Sequence, residues 1–233
     1  MVYELWVGAA GTVVLWAISG AVAIALGFLL AGASLSGNGT LRYAARAAVN
    51  ATRGVPTSVL VLVAGMGMMR ATTAPNLPGF FPGTPEAFQH VAWGIMLALG
   101  AGSAGHLAEI FLAARSTLGQ YRLEQMTVLG LSWAARTLLV LRECAAVALP
   151  PAGARMVHHL HNTAFAALFP VTDLFGFVQG LSSSTFRVFE FIALGCVVYV
   201  ALSGAIWLAS RALEAAFVPP SARRDVGGAL AWS

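Results

Sequence analysis

The chain has 233 residues, of which 58% are hydrophobic and only 9% are charged, whereas soluble domains carry roughly 25% charged residues. This composition excludes an ordinary soluble domain and predicts an integral membrane protein. The net charge of +4 comes from arginine alone, because the chain contains no lysine, which excludes both a P-loop lysine and a lysine Schiff base. The arginines are dispersed beside apolar runs, so nucleic acid is not an expected partner.

The apolar residues form long continuous runs, which predict membrane-spanning α-helices rather than the alternating strands of a β-barrel. A helix needs about 20 apolar residues to cross the bilayer. In chain order, the five predicted spans are residues 8–33, 56–69 with a possible extension to 73, 91–114, 145–169 and 189–212. The second span is short, the fourth is the most polar and the fifth is the clearest. Without a sequence repeat or a separate soluble segment, residues 1–233 are predicted to form one transmembrane domain.

Arginine is unevenly distributed between the two sets of connections. Near the span ends, one set has only Arg70 and Arg187. The first and third connections and the segment after the last span contain most of the others: Arg42, Arg46, Arg53, Arg115, Arg122, Arg136, Arg142, Arg211, Arg223 and Arg224. The positive-inside rule therefore predicts that the N-terminus is outside and the C-terminus is in the cytoplasm.

Two features of the chain exclude further classes. The N-terminus has no basic segment before its apolar run, so a cleavable signal peptide is not expected. Cys144 and Cys196 lie far apart in or beside apolar segments and form no CxxC pair. They are expected to be unpaired small apolar residues rather than a redox or metal site.

The third connection, residues 118–143, is the largest cytoplasmic loop and mixes polar with apolar residues in a helical manner. Gly130 interrupts this pattern, and Ser132 is placed to cap a following helix. The predicted local structure is therefore a helix, a glycine break and a second helix. Such a segment suits docking on a partner protein, and it equally suits an interfacial helix that lies on the lipid headgroups.

Polar residues crowd the end of the fourth span. His158 and His161 are three residues apart and share a helix face with Asn162, while His159 lies between them. A metal site needs three or four ligands with a supporting second shell, and none is predicted here. Polar groups inside a membrane face a bundle interior or a water-filled cavity, so a solute path and a packed polar interface both remain open. On the third span, Glu109 is expected to pair with a nearby arginine, and contact with solute is the alternative.

Several stretches occur in an order that resembles one family. RGVPTSVLV begins at Arg53, GSAGHLAEIF occupies residues 102–111, LEQMTVLGLS holds Glu124 and Gly130 six residues apart, ALPPAG and HNTAF lie in the fourth span, and STFRVFEFIALGCVVYVALS begins at Ser184. Together they are similar to the membrane-spanning permease subunit of bacterial polar amino-acid importers of the ATP-binding cassette (ABC) class. The resemblance covers nearly the whole chain and rests on the order and spacing of the motifs rather than on any one of them.

The chain also departs from that family's pattern, as a divergent member would. In the loop, the family's Ala-Ala after Glu124 is replaced by Gln125-Met126, and the Leu-Pro expected near the end of the loop is replaced by Arg142-Glu143. In the spans, the Arg-Gly expected after the third-span motif, the lysine of the fourth span and the Ser-Leu that follows it are replaced by Leu112-Ala113, His161 and Ala164-Phe165. These departures affect the expected substrate and the details of coupling more than the expected fold.

The resemblance implies an all-α integral membrane protein with five transmembrane helices, an outside N-terminus and a cytoplasmic coupling helix between spans three and four. Its implied partners are a dimer of cytoplasmic ATPases, a second permease subunit, an extracytoplasmic binding protein and the lipid bilayer. The chain itself would need no cofactor and would catalyse no reaction, and its expected location is the bacterial inner membrane. The implied contacts with the ATPase are Glu124, Gln125, Met126, Leu129, Gly130, Leu131 and Ser132.

The expected function is translocation of an amino acid or a similar small polar solute by alternating access. The implied solute path contains Ser103, His161, Asn162 and Thr163. The departures in the coupling loop favour a second permease that is not identical to this chain. Two alternatives remain open: a subunit that completes the complex without translocating solute, and a membrane enzyme that uses His158, His159 and His161.

Overall fold

A computed structural model describes residues 2–70, 79 and 81–217. Within this part of the chain the regular structure is entirely helical, and short 3₁₀ turns at Glu86–Phe88 and Thr163–Leu168 flank two of the long helices. The eight α-helices in chain order are α1 (Val2–Ser34), α2 (Gly39–Gly54), α3 (Thr57–Met69), α4 (Gln89–Ser116), α5 (Gln120–Val128), α6 (Trp133–Asn162), α7 (Leu174–Thr185) and α8 (Val188–Phe217).

Four helical segments are long and apolar enough to cross a membrane: Leu5–Ser34, Glu86–Ser116, Ala135–Leu168 and Val188–Phe217. They confirm the first, third, fourth and fifth predicted spans and the all-α membrane class. The side on which each connection lies, and with it the outside N-terminus, stays a prediction.

The predicted second span differs from the structure. Helix α3 has 13 residues and is about 20 Å long, which is shorter than the roughly 30 Å hydrocarbon core. It joins α2 at a bend of 95°, and the two together supply a fifth crossing if they count as one broken span. The possible extension of this span to residue 73 lies outside the described residues.

Helix α2 was not predicted, because its sequence is amphipathic rather than continuously apolar. The Asn38 side chain caps it by accepting the backbone N–H groups of Thr40 and Leu41 at 3.0 and 3.3 Å. Ala45 and Val49 are buried against the bundle. Its arginines leave the opposite face polar, as in a helix that lies at a membrane interface.

Helix α7 occupies the connection before the last span, where a loop was expected. Its cap is the buried Asp173, whose carboxylate accepts the backbone N–H groups of Phe175 and Gly176 at 3.0 and 3.1 Å. Leu174 and Val178 are buried in a small core with Phe191 of α8. The helix therefore packs into the bundle instead of crossing the membrane.

Helix α4 is the centre of the bundle and packs against α1, α2, α3 and α6. Small residues on its surface let the neighbouring backbones come close. Gly100 faces the backbone carbonyl of Ser19 on α1, and Gly105 faces Thr52 on α2 so closely that a Cβ atom there would overlap it. Ile95 and Leu99 are completely buried in the main core. The close approach of these helices places polar groups of α1, α4 and α6 side by side.

The predicted helix, glycine break and helix between the third and fourth spans is confirmed. Helix α5 ends at Val128, Gly130 has a φ of 65°, and the Ser132 hydroxyl accepts the backbone N–H of Ala135 at 3.3 Å. One detail is different, because the second helix is not confined to the loop. It continues as α6 through the fourth span to Asn162, with Pro150 and Pro151 inside the helix, so the predicted coupling segment is joined to that span by one helix.

Candidate functional site

A buried chain of hydrogen bonds connects three helices at the middle of α4. His159 of α6 is completely buried, and each of its ring nitrogens has a hydroxyl partner. Nε2 lies 2.7 Å from the Oγ of Ser19 on α1, and Nδ1 lies 2.8 Å from the Oγ of Ser103 on α4. The polar group of a membrane helix thus finds its partners on two neighbouring helices.

The direction of each hydrogen bond in this network follows from the groups at its two ends, Arg155 and Ser19. Arg155 only donates, and its Nη2 donates to the Ser103 hydroxyl at 3.0 Å, so Ser103 can give its own proton to Nδ1 of His159. At the other end, the Ser19 hydroxyl donates to the carbonyl of Leu15 and therefore accepts from Nε2–H. This arrangement satisfies every group with a neutral, Nε2-protonated His159. A charged ring would leave the Ser103 proton without an acceptor.

A second hydrogen bond joins α1 and α6. The indole Nε1 of Trp16 donates to the backbone carbonyl of Met156 at 3.0 Å. Hydrogen bonds between membrane helices contribute about 0.6 kcal/mol each on average. This network is therefore a structural connection between α1, α4 and α6, and it fixes the position of the Arg155 guanidinium.

Beyond this network, α4 and α6 present a polar face to the outside of the bundle. His158 is exposed and His106 is half-buried, and Arg155 lies within electrostatic reach of both. The Nε of Arg155 has no hydrogen-bond partner within the described part of the chain. Charged and polar groups at this depth are costly in contact with lipid, so this polar face needs a cover of protein or water.

An ion pair continues the polar face toward the arginine-rich end of the bundle. Nη1 of Arg53, at the end of α2, lies 3.1 Å from a carboxylate oxygen of Glu109 on α4. This pair confirms the expectation that Glu109 is bound to an arginine. Both side chains are more than 40% exposed, so the pair remains accessible from one side of the bundle.

The predicted solute-path residues do not line one cavity of this chain. Ser103 is completely buried in the network with His159, whereas His161 is exposed and lies 3.1 Å from the Oγ of Ser203 on α8. Thr163 is buried and donates to the carbonyl of Leu160 at 2.7 Å. Asn162 is buried, and its amide nitrogen has no hydrogen-bond partner within the described ranges.

Sequence reasoning did not separate the three histidines of the fourth span. His159 points inward to α1 and α4, His161 contacts α8, and His158 is exposed. Their side chains therefore diverge instead of forming one site, which argues against an enzyme built on all three. A single sequence does not reveal which face of a polar span meets its neighbours.

The predicted coupling segment is a short, rigid protrusion with an apolar tip. Glu124, Leu129, Gly130 and Ser132 are exposed, Gln125 and Leu131 are half-buried, and Met126 is buried. The Gly130 N–H donates to the Thr127 carbonyl at 3.0 Å and the Leu131 N–H to the Met126 carbonyl at 3.4 Å. These two bonds and the positive φ of Gly130 form a Schellman motif, which fixes the end of α5.

A salt bridge fastens this protrusion to the long helix that follows it. Nη2 of Arg122 on α5 lies 3.0 Å from a carboxylate oxygen of Glu143 on α6. The outward side of α5 presents large apolar side chains, since Tyr121, Val128 and Leu129 are each more than 70% exposed. A rigid element with an exposed apolar tip is suited to insertion into a groove of another protein.

No protein-family model matches the chain, but two solved structures resemble it over nearly its full length. A chain of an amino acid ABC transporter, solved with histidines, matches with a TM-score of 0.75 and 19% identity and covers 91% of this chain and 94% of its own length. A chain of the MetNI methionine ABC transporter, in inward-facing conformations, matches with a TM-score of 0.65 and 15% identity and covers 94% of this chain and 96% of its own length. The chain therefore has the fold of ABC transporter transmembrane subunits, as the order of its motifs predicted.

Proposed function

We propose that this chain is the permease subunit of an ATP-driven importer of an amino acid or a similar small polar solute. The observation that carries the proposal is the fold likeness to a chain of an amino acid ABC transporter over 91% of the sequence. The order of the sequence motifs supports the same function independently. In such a complex the chain forms part of the path through the bacterial inner membrane, while partner subunits bind and hydrolyse ATP.

The polar face of α4 and α6 is the part of this subunit that we assign to the solute path. It lies at the level of Ser103 in the middle of α4, and transporters bind their solutes near the bilayer midplane. The carboxylate of an amino acid needs hydrogen-bond donors, which the Arg155 guanidinium supplies. Its ammonium group needs acceptors, which neutral His106 and His158 supply. His161, Asn162 and Thr163 remain predicted contributors at the outer end of α6.

A second permease subunit is the cover that this polar face requires. Two subunits that meet there enclose the polar groups and leave a water-filled path between them, so neither subunit exposes charge to lipid. We propose that the second permease is a different chain, because the coupling loop of this chain has lost the Ala-Ala and Leu-Pro elements. Native mass spectrometry of the purified complex tests this point, and two copies of this chain without a second permease would refute it.

Helix α5 is the proposed contact with the ATPase. Tyr121, Val128 and Leu129 offer an apolar tip of the kind that hot spots at protein interfaces use. The Arg122–Glu143 salt bridge and the continuous helix α6 connect this tip to the membrane. Closure of the ATPase dimer would therefore rock α6 against its neighbours and alternate the access of the solute path. An extracytoplasmic binding protein delivers the solute on the other side.

Uptake by a reconstituted complex tests the proposal. The chain is co-expressed with candidate ATPase, permease and binding-protein subunits, placed in proteoliposomes, and assayed for solute-stimulated ATP hydrolysis and for uptake of labelled amino acids. We expect His158→Ala to lower uptake while assembly and basal hydrolysis persist, because His158 is exposed and lies outside the buried network. His90→Ala is the matched control, since His90 lies near the start of α4 and away from the polar face.

The outcomes of this experiment separate the alternatives. Solute-stimulated hydrolysis that is unchanged by His158→Ala and Asn162→Leu would assign the path to the partner permease and make this chain a completing subunit. Failure of the chain to assemble with any ATPase would refute the transport function itself.

A further inference from the structure

Two cavities of different character meet at the arginine-rich end of the bundle. The first, the polar cavity, has a volume of about 570 Å³ and lies between the end of α1, α2 and the end of α4, where Ser34, Arg46, Asn50, Glu109 and Arg115 line it. The second, the apolar groove, has a volume of about 420 Å³ and lies between α1, α4 and α6, where Phe28, Gly32, Leu107, Phe111, Cys144 and Ala148 line it. Leu35 and Arg115 line both, so the two cavities adjoin.

The polar cavity has an excess of positive charge. Within the described residues, neither Arg46 nor Arg115 lies within ion-pair distance of a carboxylate, whereas the only acid in the cavity lining, Glu109, is paired with Arg53 at 3.1 Å. The Ser34 hydroxyl is buried, with 1% of the residue exposed, and has no hydrogen-bond partner in the described part of the chain. Two unpaired guanidinium groups and an unsatisfied hydroxyl are donors that suit an anion with several oxygens.

The apolar groove has the lining and length for a hydrocarbon chain. Its lining runs from Ile24 on α1 to Leu35 just after the end of α1, which at 1.5 Å per residue is about 16 Å. That length is roughly half of the 30 Å hydrocarbon core, and thus one leaflet. The stacked rings of Phe28 and Phe111, whose centroids are 4.0 Å apart, form one wall. Apart from Arg115 at its end, the lining of this groove contains no charged side chain.

We propose that the polar cavity and the apolar groove together bind one anionic phospholipid. Its phosphate lies between Arg46 and Arg115, with Ser34 and Asn50 as further donors, and one acyl chain occupies the groove. A free phosphate would fill only the polar cavity, and a zwitterionic lipid would place its cationic headgroup beside the two arginines. Basic pockets between membrane helices on the cytoplasmic side bind anionic headgroups, and this end of the bundle is the side that the arginine distribution predicts to be cytoplasmic.

The site lies at the junction of four helices. The headgroup position connects α2 with the ends of α1 and α4, and the groove adds α6. A bound lipid would therefore brace the amphipathic helix α2 and the inner end of the bundle. This inference concerns only the membrane-embedded chain and does not depend on the proposed transport function.

Native mass spectrometry of the full-length chain tests the proposal. Protein purified in detergent is titrated with phosphatidylglycerol or phosphatidylcholine of identical acyl chains. We expect one phosphatidylglycerol to be retained with about tenfold higher affinity than phosphatidylcholine, because the choline of the second lipid adds a positive charge beside the two arginines. Arg115→Gln and Arg46→Gln should each remove most of this preference. Arg42→Gln is the matched control, because Arg42 is not in the lining of either cavity and its guanidinium donates to the Ser36 carbonyl at 3.2 Å.

The groove is tested separately from the charge. Gly32→Phe should weaken binding of both lipids, because a Cβ atom at Gly32 meets nothing within 4 Å and the ring can fill the groove without displacing a neighbour. Gly204→Phe is the matched control on α8, where the space beside the glycine is equally open. In a Cys196→Ser background, N-ethylmaleimide should react more slowly with Cys144 when phosphatidylglycerol is present, and this readout needs only folded protein.

Three results would overturn the proposal. Equal retention of the two lipids would exclude recognition of the negative charge. Unchanged phosphatidylglycerol binding in an Arg46→Gln/Arg115→Gln double variant that elutes as a single folded species would place the lipid elsewhere. Full competition by inorganic phosphate, together with unchanged Cys144 labelling, would show that the polar cavity binds a free anion and that the groove stays without a lipid chain.

Discussion

Replacement of Gly130 by alanine isolates the geometry of the coupling segment from its chemistry. Gly130 has a φ of 65°, a left-handed conformation that costs a residue with a Cβ atom roughly 1–2 kcal/mol. No further steric cost arises, because a Cβ atom there meets nothing within 4 Å. The penalty therefore falls on the Schellman motif alone, and it would shift the population of the fixed α5 arrangement by about fivefold to thirtyfold.

Solute-stimulated ATP hydrolysis in the reconstituted complex measures this shift. We expect Gly130→Ala to lower stimulation severalfold while membrane insertion and basal hydrolysis persist. Gly130→Asn is the matched control, because asparagine tolerates the left-handed conformation and should retain most of the coupling. If alanine and asparagine impair coupling equally, the reasoning from backbone conformation is wrong. If alanine has no effect, the fixed end of α5 is not needed for coupling.

Three further predictions concern the membrane region and its edge. His159→Phe should lower the melting temperature of the detergent-solubilised protein more than Ser19→Ala does, because it leaves both Ser19 and Ser103 without their histidine partner. Each unsatisfied group costs about 1–3 kcal/mol. Equal melting temperatures for the two variants would refute the network. Burial raises the pKa of Asp173 from 3.8 to about 7, so the folded state keeps a proton that the unfolded state has lost, and this stability is lost as the pH rises from about 4 through 7. Asp173→Asn keeps the cap, so the melting temperature of this variant should change less with pH between about 4 and 7. An unchanged dependence on pH would show that another group causes it. Leu129→Pro removes the N–H that donates to the Gln125 carbonyl at 2.9 Å, so coupling should fall while insertion survives, and unchanged stimulation would contradict it.

The spans were predictable because each is specified by its own residues. A continuous apolar run is a property of the local sequence, and four of the five predicted runs correspond to helices that are long enough to cross a membrane. Helices α2 and α7 were missed because their apolar residues are interspersed with polar ones. Their caps, Asn38 and Asp173, were the available sequence signal, and each stands directly before the helix that it begins.

The candidate site was less predictable because its parts come from distant segments. The hydrogen-bond network joins Ser19, Ser103 and His159, which are separated by 84 and 56 residues along the chain. Which of the fourth-span histidines faces inward depends on how α1 and α4 pack against α6. The residues next to these histidines in the sequence do not determine that packing. The two adjoining cavities have the same origin, since three or more helices line each of them.

The salt bridge between Arg122 and Glu143 gives a physical meaning to one departure from the family pattern. Glu143 belongs to the Arg142-Glu143 pair that replaces the Leu-Pro expected there, and proline at that point would restrict the backbone of a helix. In this chain α6 includes this position, with Pro150 and Pro151 farther along it, and the Glu143 carboxylate lies 3.0 Å from Nη2 of Arg122 on α5. Both partners are partly exposed, so the pair itself contributes little stability. Its effect is orientation: it connects the exposed tip of α5 to a helix that continues into the polar face of the membrane region. The salt bridge thus links the predicted coupling segment to α6, which leads to the proposed solute path.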